Sequence, residues 1–303
     1  MCIALLHKLS LCATVLLSGM GVARSQGATA APQVESVTVI GTRDRQRVEK
    51  FIESFAAPTA LLGKLARWKT GICPVAVGLR PTAIKFILDR MRSVATEVGA
   101  PVDTNTKCKA NIEIVFTTSP QKLLDNIRKE HSIYLGYASN SRQADKLATV
   151  IHPIQAWYTT QSRDLMGLPK VDSSRTIGLG DSGEFAAAMM MGNTTGLHTH
   201  DGRSSELYNI IIAIDPNKLA DNEIGSIADY ITFLSLSQLA SLDQCQQLPS
   251  IMDMLIPGCP RVAEMTLNDI GFLRGLYKMP ADGNLRMQKD GIVAEMAKVL
   301  RGD

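Results

Sequence analysis

The sequence predicts an α/β fold, or α+β in the broader usage, with a mixed, mostly parallel twisted sheet packed with helices. Residues 72–79 have a strand pattern, residues 81–98 a helical pattern and residues 110–117 a second strand pattern. This is the order of a βαβ unit, whose right-handed crossover places two parallel strands in one sheet. A third apolar run, 207–214, is followed by helical spacing over 224–236. The chain is therefore expected to alternate strands and helices around one sheet.

The helix of the βαβ unit has marked ends. Pro81 suits the first position of a helix, where no N–H donor is needed, and Gly99 suits the residue just beyond its end. Apolar residues recur between them at helical spacing: Ile84, Ile87, Leu88, Met91, Val94, Ala95 and Val98. One face of this helix is therefore expected to pack against the sheet.

The middle of the chain is less regular. Helical faces are predicted around residues 123–127 and 144–151, and a strand over residues 154–158. Residues 161–203 are rich in Gly, Ser, Thr, Asp and Asn, which predicts loops or an antiparallel hairpin. The last strand of such a sheet is expected to line a cleft.

The second half follows the order strand, helix, turn, helix. The apolar run 207–214 is nearly continuous, which is typical of a buried strand. Asp221 or Asn222 is expected to cap the helix that follows. A turn is predicted at Met252, and Thr266 has the spacing of a helix cap for a helix that extends to Tyr277.

The first residues have the features of a secretory signal peptide. Lys8 precedes the apolar run 9–20, and small residues stand at the positions that a signal peptidase recognises. The run is too short to span a bilayer. We therefore expect a periplasmic or secreted protein with no membrane insertion after cleavage. The predicted divisions are a signal peptide 1–25, an N-terminal extension 26–67, a main domain 68–279 and a C-terminal helical tail 280–303.

Four cysteines remain once the signal peptide is removed, and an even number in an exported chain predicts two disulfides. They are Cys73, Cys108, Cys245 and Cys259. Four cysteines allow three pairings, and the shorter loops favour Cys73–Cys108 with Cys245–Cys259. The spacings lack a Cys-x-x-Cys pair, which argues against a zinc site built from them.

The charge balance gives no reason to expect nucleic acid as a partner. The chain has 32 Lys and Arg against 29 Asp and Glu, and loss of Lys8 and Arg24 leaves 30 against 29. A nearly neutral protein lacks the basic surface that attracts nucleic acid. No cofactor is predicted, because no glycine-rich phosphate loop, serine nucleophile or carboxylate pair stands in a supporting context.

One histidine cluster is a candidate metal site. On a strand, His198 and His200 would point to the same face, with Asp201 beside them. No third histidine or cysteine lies near them in the sequence. An exposed hairpin tip is the competing interpretation.

The second half resembles the metzincin zinc peptidases, and most closely those similar to matrixins. In these a strand leads to a helix with His-Glu-x-x-His, a Met turn lies beneath the metal, and a helix with Leu-x-x-Asp-x-x-x-x-x-x-Leu-Tyr closes the domain. The chain matches the turn at Met252 and the closing helix within the segment Thr266–Tyr277, where Asp269 precedes Leu276-Tyr277 at the family's spacing and Thr266 stands at the position of the first Leu. The resemblance implies a zincin-like fold for the main domain.

The metal-binding positions of that family are replaced in this chain. The alignment places Ala228 at the first histidine, Asp229 at the glutamate, Thr232 at the second histidine and Gln238 at the third ligand. Ala, Thr and Gln do not supply the imidazole, thiolate or carboxylate donors that zinc requires. Asp229 alone has no metal-bound water to deprotonate. The resemblance therefore implies a metzincin-like domain that has lost its zinc.

The mature chain is also similar to a group of exported alphaproteobacterial proteins for which no activity is established. That resemblance implies location and architecture but no reaction. The matching pieces are Cys73-Pro74-Val75, Gly78-Leu79, Ala156-Trp157-Tyr158, Ala228-Asp229-Tyr230, Ser250-Ile251 and Gly275-Leu276-Tyr277.

Two functional hypotheses follow. The first is a non-catalytic exported domain that binds a peptide or protein along an edge strand beside the cleft. The alternative is a hydrolase, similar to a peptidase, that uses Asp229 or a metal held by His198 and His200. The missing zinc motif favours the first hypothesis.

Overall fold

The computed structural model describes residues 42–105, 107–173 and 200–301, all within the compact unit formed by residues 40–303. The helices are α1 (Thr42–Phe55), α2 (Pro81–Val98), α3 (Pro120–His131), α4 (Ser141–Leu147), α5 (Ile224–Leu236), α6 (Leu267–Lys278) and α7 (Leu285–Arg301). The strands are β1 (Pro74–Val77), β2 (Ile112–Phe116), β3 (Ile154–Arg163), β4 (Pro169–Val171) and β5 (Ser204–Ile214). Short 3₁₀ turns span Ser132–Leu135, Pro216–Lys218 and Ile251–Leu255.

The described strands form a single mixed sheet in the order β1-β2-β5-β3-β4. β1, β2 and β5 are mutually parallel, β3 runs antiparallel to β5, and β4 runs antiparallel to β3. Four of the five strands therefore point the same way. The prediction of an α/β fold with a mixed, mostly parallel sheet packed with helices is confirmed.

The ends of the helices show how far local sequence determines structure. Pro81 begins α2, and Gly99 ends it with a left-handed φ of 80° that favours glycine. Thr266 and Asp269 form a reciprocal capping box at the start of α6. The predicted cap of α5 was wrong. Glu223 occupies that position instead of Asp221 or Asn222, and its side chain makes no capping hydrogen bond.

The larger hydrophobic core lies on the sheet face covered by α2 and α5. At its centre, the rings of Phe51 and Phe55 on α1 pack with Phe233 on α5 and Phe272 on α6, at centroid distances of 4.7–6.4 Å. These ring pairs bury large apolar areas, and their edge-on, tilted and stacked arrangements include the geometries that aromatic pairs prefer. Helix α7 contributes Ile292 and Met296 to the same core. Both ends of the described chain therefore belong to the core.

The opposite face of the sheet carries a smaller core beneath α3 and α4. Its buried members are Leu124, Leu135, Ala148, Trp157, Ile211 and Ala213. This second layer leaves much of the β1 end of that face uncovered, because Val75 is 41% exposed and Val77 is 54% exposed.

Strand β3 is longer than its predicted range of 154–158. The ladder with β5 shifts at Thr159/Thr160, and the strand then continues to Arg163 through polar residues. A tight turn follows, in which Asp164 Oδ1 accepts hydrogen bonds from the backbone N–H groups of Met166 and Leu168. The antiparallel hairpin expected within residues 161–203 is therefore present as β3–β4.

Two disulfides are present, in the pairing favoured by loop length. Cys73 is joined to Cys108 with a Cα–Cα distance of 6.0 Å, and Cys245 to Cys259 with 5.4 Å. Such cross-links are typical of proteins in oxidising compartments. Within the described ranges, no helix has the length and apolar content needed to cross a membrane.

Candidate functional site

Asp229 lies in a helix that is buried on nearly every side. The residues from Ser226 to Leu236 are all buried, and Asp229 itself is 2% exposed. A helix that is apolar all round is typical of a core element. A lone carboxylate in such a place must find partners, since burying an unpaired charge costs several kcal/mol, on the order of 3–5.

Both oxygens of the Asp229 carboxylate accept hydrogen bonds from structural partners. Arg90 on α2 donates to it twice, from Nε to Oδ1 at 2.5 Å and from Nη2 to Oδ2 at 3.0 Å. The backbone N–H of Met265 also donates to Oδ2 at 2.8 Å. This fork-shaped pairing matches two donors to two acceptors. Asp229 therefore ties α5 to α2 and to the segment that leads into α6.

The positions aligned with the zinc ligands do not converge on a cleft. Ala228 and Thr232 are fully buried, and Thr232 Oγ1 donates to the carbonyl oxygen of Ala228 at 2.7 Å. Gln238 lies beyond the end of α5 and has a buried side-chain oxygen with no hydrogen-bond partner. Among the residues that the structure describes, no group of three or more His, Cys, Asp or Glu side chains is placed to hold a metal.

Of the two histidine candidates, the structure describes His200, whereas His198 lies outside the described residues. His200 is paired through Nδ1 with Asp282 Oδ1 at 3.0 Å, and the same residue forms a backbone bridge with Gly283. The predicted hairpin tip is thus attached to the loop before α7. The structure therefore gives His200 an acidic neighbour in Asp282.

A buried lysine organises the residues beside His200. Lys64 Nζ donates to Asp201 Oδ1 at 2.6 Å and to the carbonyl oxygens of Arg203 and Asp282 at 2.7 Å each. Three acceptors satisfy all three ammonium hydrogens. Burial acts to raise the pKa of Asp201, but the hydrogen bonds and charges of Lys64 and Arg203 outweigh it and lower the pKa below its ordinary value. This arrangement fastens the segment before β5.

A second buried carboxylate, Glu206 on β5, was not singled out from the sequence. Arg163 donates to it from Nε at 2.7 Å and from Nη2 at 2.9 Å, and Gln161 Nε2 donates at 2.8 Å. Burial acts to raise the pKa of Glu206, while the hydrogen bonds from Arg163 and Gln161 and the positive charges nearby lower it overall. In the sequence, the only sign of the pair between Glu206 and Arg163 is the position of one charged residue, Glu206, next to the apolar run 207–214.

We expect Glu206→Gln to weaken the acid dependence of stability. A lowered pKa in the folded protein means that Glu206 contributes stability above its ordinary pKa of 4.5 and loses it as the pH falls through the folded value. Each unit of lowering corresponds to about 1.4 kcal/mol. Urea unfolding from pH 7 to pH 3 should give a shallower fall in unfolding free energy for the variant. An unchanged slope would show that Glu206 does not titrate below its unfolded value.

Asp269, the acid of the closing helix, supports the Met252 turn. Its carboxylate accepts hydrogen bonds from Ser250 Oγ at 2.5 Å and from the backbone N–H groups of Ile251 and Thr266 at 2.9 and 2.8 Å. Thr266 Oγ1 lies 2.9 Å from the same carboxylate. Burial raises the pKa of Asp269 to about 6, although the hydrogen bonds act to lower it. The group is therefore ionised at neutral pH.

One edge of the sheet, strand β1, has no neighbouring strand on its outer side in the described sheet. Pro74 is in register with Ile112 of β2 but has no N–H to donate. The carbonyl oxygen of Cys73 accepts a hydrogen bond from Asn111 N at 3.2 Å. The ladder to β2 is therefore made by the odd-numbered residues of β1, since successive backbone groups alternate in direction.

The even-numbered residues consequently direct their backbone groups to the outer edge. Ile72 shows this direction, because its backbone N–H and carbonyl form hydrogen bonds with the segment around Val102, on the side away from β2. Beyond that contact Pro74 is buried and Gly78 leaves the strand with a φ of 94°, so the outer edge offers the N–H and carbonyl of Ala76. An added strand, in either direction, can form a pair of hydrogen bonds with these two groups.

Comparison of the chain with protein-family models, with curated proteins and with solved structures gives no match. The resemblances to metzincins and to exported alphaproteobacterial proteins therefore stay predictions from the sequence.

Proposed function

We propose that this protein is an exported, non-catalytic domain that binds an extended segment of a peptide or protein along the edge of β1. The observation that carries the proposal is the position of β1 at the edge of the described sheet, where the alternation along the strand directs the backbone groups of Ala76 away from β2. Strand addition obtains affinity from main-chain hydrogen bonds and specificity from alternate side chains. The two disulfides support an oxidising compartment, and the signal-like residues 1–25 support export.

The use of Asp229 supports the non-catalytic part of the proposal. A general base or metal ligand needs a free lone pair directed at a substrate or an ion. Both oxygens of Asp229 already accept charge-assisted or backbone hydrogen bonds, from Arg90 and Met265. Asp229 therefore forms a structural ion pair that holds α5 in place.

N-methylated peptides test the strand addition directly. The probes are fluorescein-labelled peptides with four alternating Val and Ile at the centre, and binding is followed by fluorescence anisotropy. Methyl groups on alternate amides block one edge of a peptide and leave the other intact. We expect one of the two alternate methylation patterns to abolish binding and the other to preserve it. Equal binding of both would contradict strand addition.

A variant of the protein provides a second test of strand addition. Ala76→Pro removes the outward N–H while leaving the ladder to β2 intact, because Ala76 does not donate to β2. We expect at least a tenfold loss of peptide binding with little change in thermal unfolding. A variant that binds as well as the parent protein would contradict the proposed edge.

The alternative function, a hydrolase using Asp229 or a metal at His198 and His200, is tested by two measurements. One tightly held zinc per purified chain would contradict the non-catalytic proposal. If peptidase or esterase activity were found, Asp229→Ala should leave it unchanged per folded molecule. That variant should still lose about 1–3 kcal/mol of unfolding free energy, because Arg90 and the Met265 N–H lose their acceptor.

A further inference from the structure

We infer that the segment bound along β1 is apolar at its centre and acidic at both ends. This inference rests on the proposed function and adds the chemistry of the partner. The strand itself is four residues long, so the apolar centre is expected to be of about that length.

The centre of the edge offers apolar contacts on both faces. Val75 and Val77 project from one face and are 41% and 54% exposed. On the side of α2, a cavity of about 610 Å³ lies at the carboxyl end of β1, lined by Leu79, Phe86 and Ile224 among others. Alternate side chains of an added strand point to opposite faces. One set would therefore cover the valines, and the other would reach the cavity.

Exposed cations lie at both ends of the same edge. Arg80 follows two residues after Gly78, at the carboxyl end of β1. At the other end, Lys107 and Lys109 flank Cys108, which is joined to Cys73. Within the described ranges, none of these three cations forms an ion pair with a carboxylate of the chain.

The two carboxylates that border the strand are already hydrogen-bonded. Asp103 Oδ1 accepts a hydrogen bond from Asn105 N at 2.9 Å, and Glu113 Oε1 accepts one from Asn209 Nδ2 at 3.4 Å. These neutral donors leave both negative charges in place, so three cations stand against two carboxylates and a positive excess of one charge remains at the ends of β1, in a chain that is nearly neutral as a whole. Complementary charge around an apolar centre selects a partner and its register.

The test compares two peptides that differ only at their ends. Both have the centre of four alternating Val and Ile, and one carries two Glu at each end while the other carries two Lys. We expect the acidic peptide to bind the full chain about tenfold more tightly than the lysine-ended peptide at low salt. The reason is that several exposed charge contacts each contribute a modest amount to the binding free energy. Raising the ionic strength to 0.5 M should bring the two affinities together, because exposed charges are screened.

Charge reversal in the protein separates this inference from the proposed function. Arg80→Glu with Lys109→Glu should reverse the preference, so that the lysine-ended peptide binds more tightly. Lys50→Glu with Arg142→Glu makes the same change in net charge on α1 and α4 and should preserve the original preference. Equal binding of both peptides, with N-methylation still blocking one edge, would overturn the acidic-partner inference and leave strand addition standing. Failure of both peptides to bind would overturn both.

Discussion

Replacement of Asp269 by Ala is expected to lower the unfolding free energy by about 3–5 kcal/mol. The change removes the acceptor for Ser250 Oγ and for the backbone N–H groups of Ile251 and Thr266. All these groups meet in a site where Asp269 is fully buried, so the donors find no replacement and each carries a desolvation cost. Urea unfolding at pH 7.5, above the pKa of about 6, measures the effect on the ionised group.

The matched control is Asp290→Ala, which removes an acid from the exposed side of α7. Its nearest cations, Arg45 and Arg286, lie at 3.9 Å, and exposed pairs at such distances contribute little. We expect a change within about 0.5 kcal/mol. A loss below about 1 kcal/mol for Asp269→Ala would show that water or another side chain satisfies the donors.

Removal of the Cys245–Cys259 disulfide is expected to have an effect of similar size. Replacing both cysteines by Ser should lower stability by roughly 2–5 kcal/mol, because the cross-link restricts the unfolded chain. The loop that it closes contains Met252, so hydrogen exchange should increase first around residues 245–259. The core between Trp68 and Thr117 should stay protected to higher denaturant concentrations, since neither Cys245 nor Cys259 lies within it.

The pairing itself can be checked without any variant. The denatured but unreduced mature protein should show no reactive thiols, and two or more would contradict the four-cysteine framework. The corresponding variant at Cys73 and Cys108 is a useful comparison, because that bridge closes a longer loop at the start of β1. Exchange should then increase around β1, and the Met252 turn should be unaffected.

The elements with clear periodicity were predictable from the sequence. Helix α2 begins and ends at the predicted residues because Pro81 fixes φ in its first turn and Gly99 readily adopts the left-handed φ of 80° that ends it. Helix α6 starts with the predicted cap because the Thr266 and Asp269 pair is local in sequence. The order of β1, α2 and β2 followed from the same kind of short-range pattern.

The polar half of β3 and the ion pairs could not be predicted in this way. Residues 159–163 have no apolar alternation, and their burial depends on partners far along the chain, such as Glu206 for Arg163 and Asp172 for Thr160. The pair of Arg90 and Asp229 is separated by 139 residues. Such contacts appear only after the fold has brought two helices together, so a local pattern does not contain them.

The aromatic cluster limits how early the core can form while the chain is being synthesised. Phe51 and Phe55 leave the ribosome early, whereas Phe272 and the residues of α7 that complete their surroundings are near the end of the chain. The backbone N–H of Leu65 likewise donates a hydrogen bond to Gln288 on α7, and the guanidinium of Arg67 donates to the last carbonyl oxygens of α6. These hydrogen bonds can form only after both helices have been synthesised. The native core therefore cannot close until α6 and α7 have been synthesised.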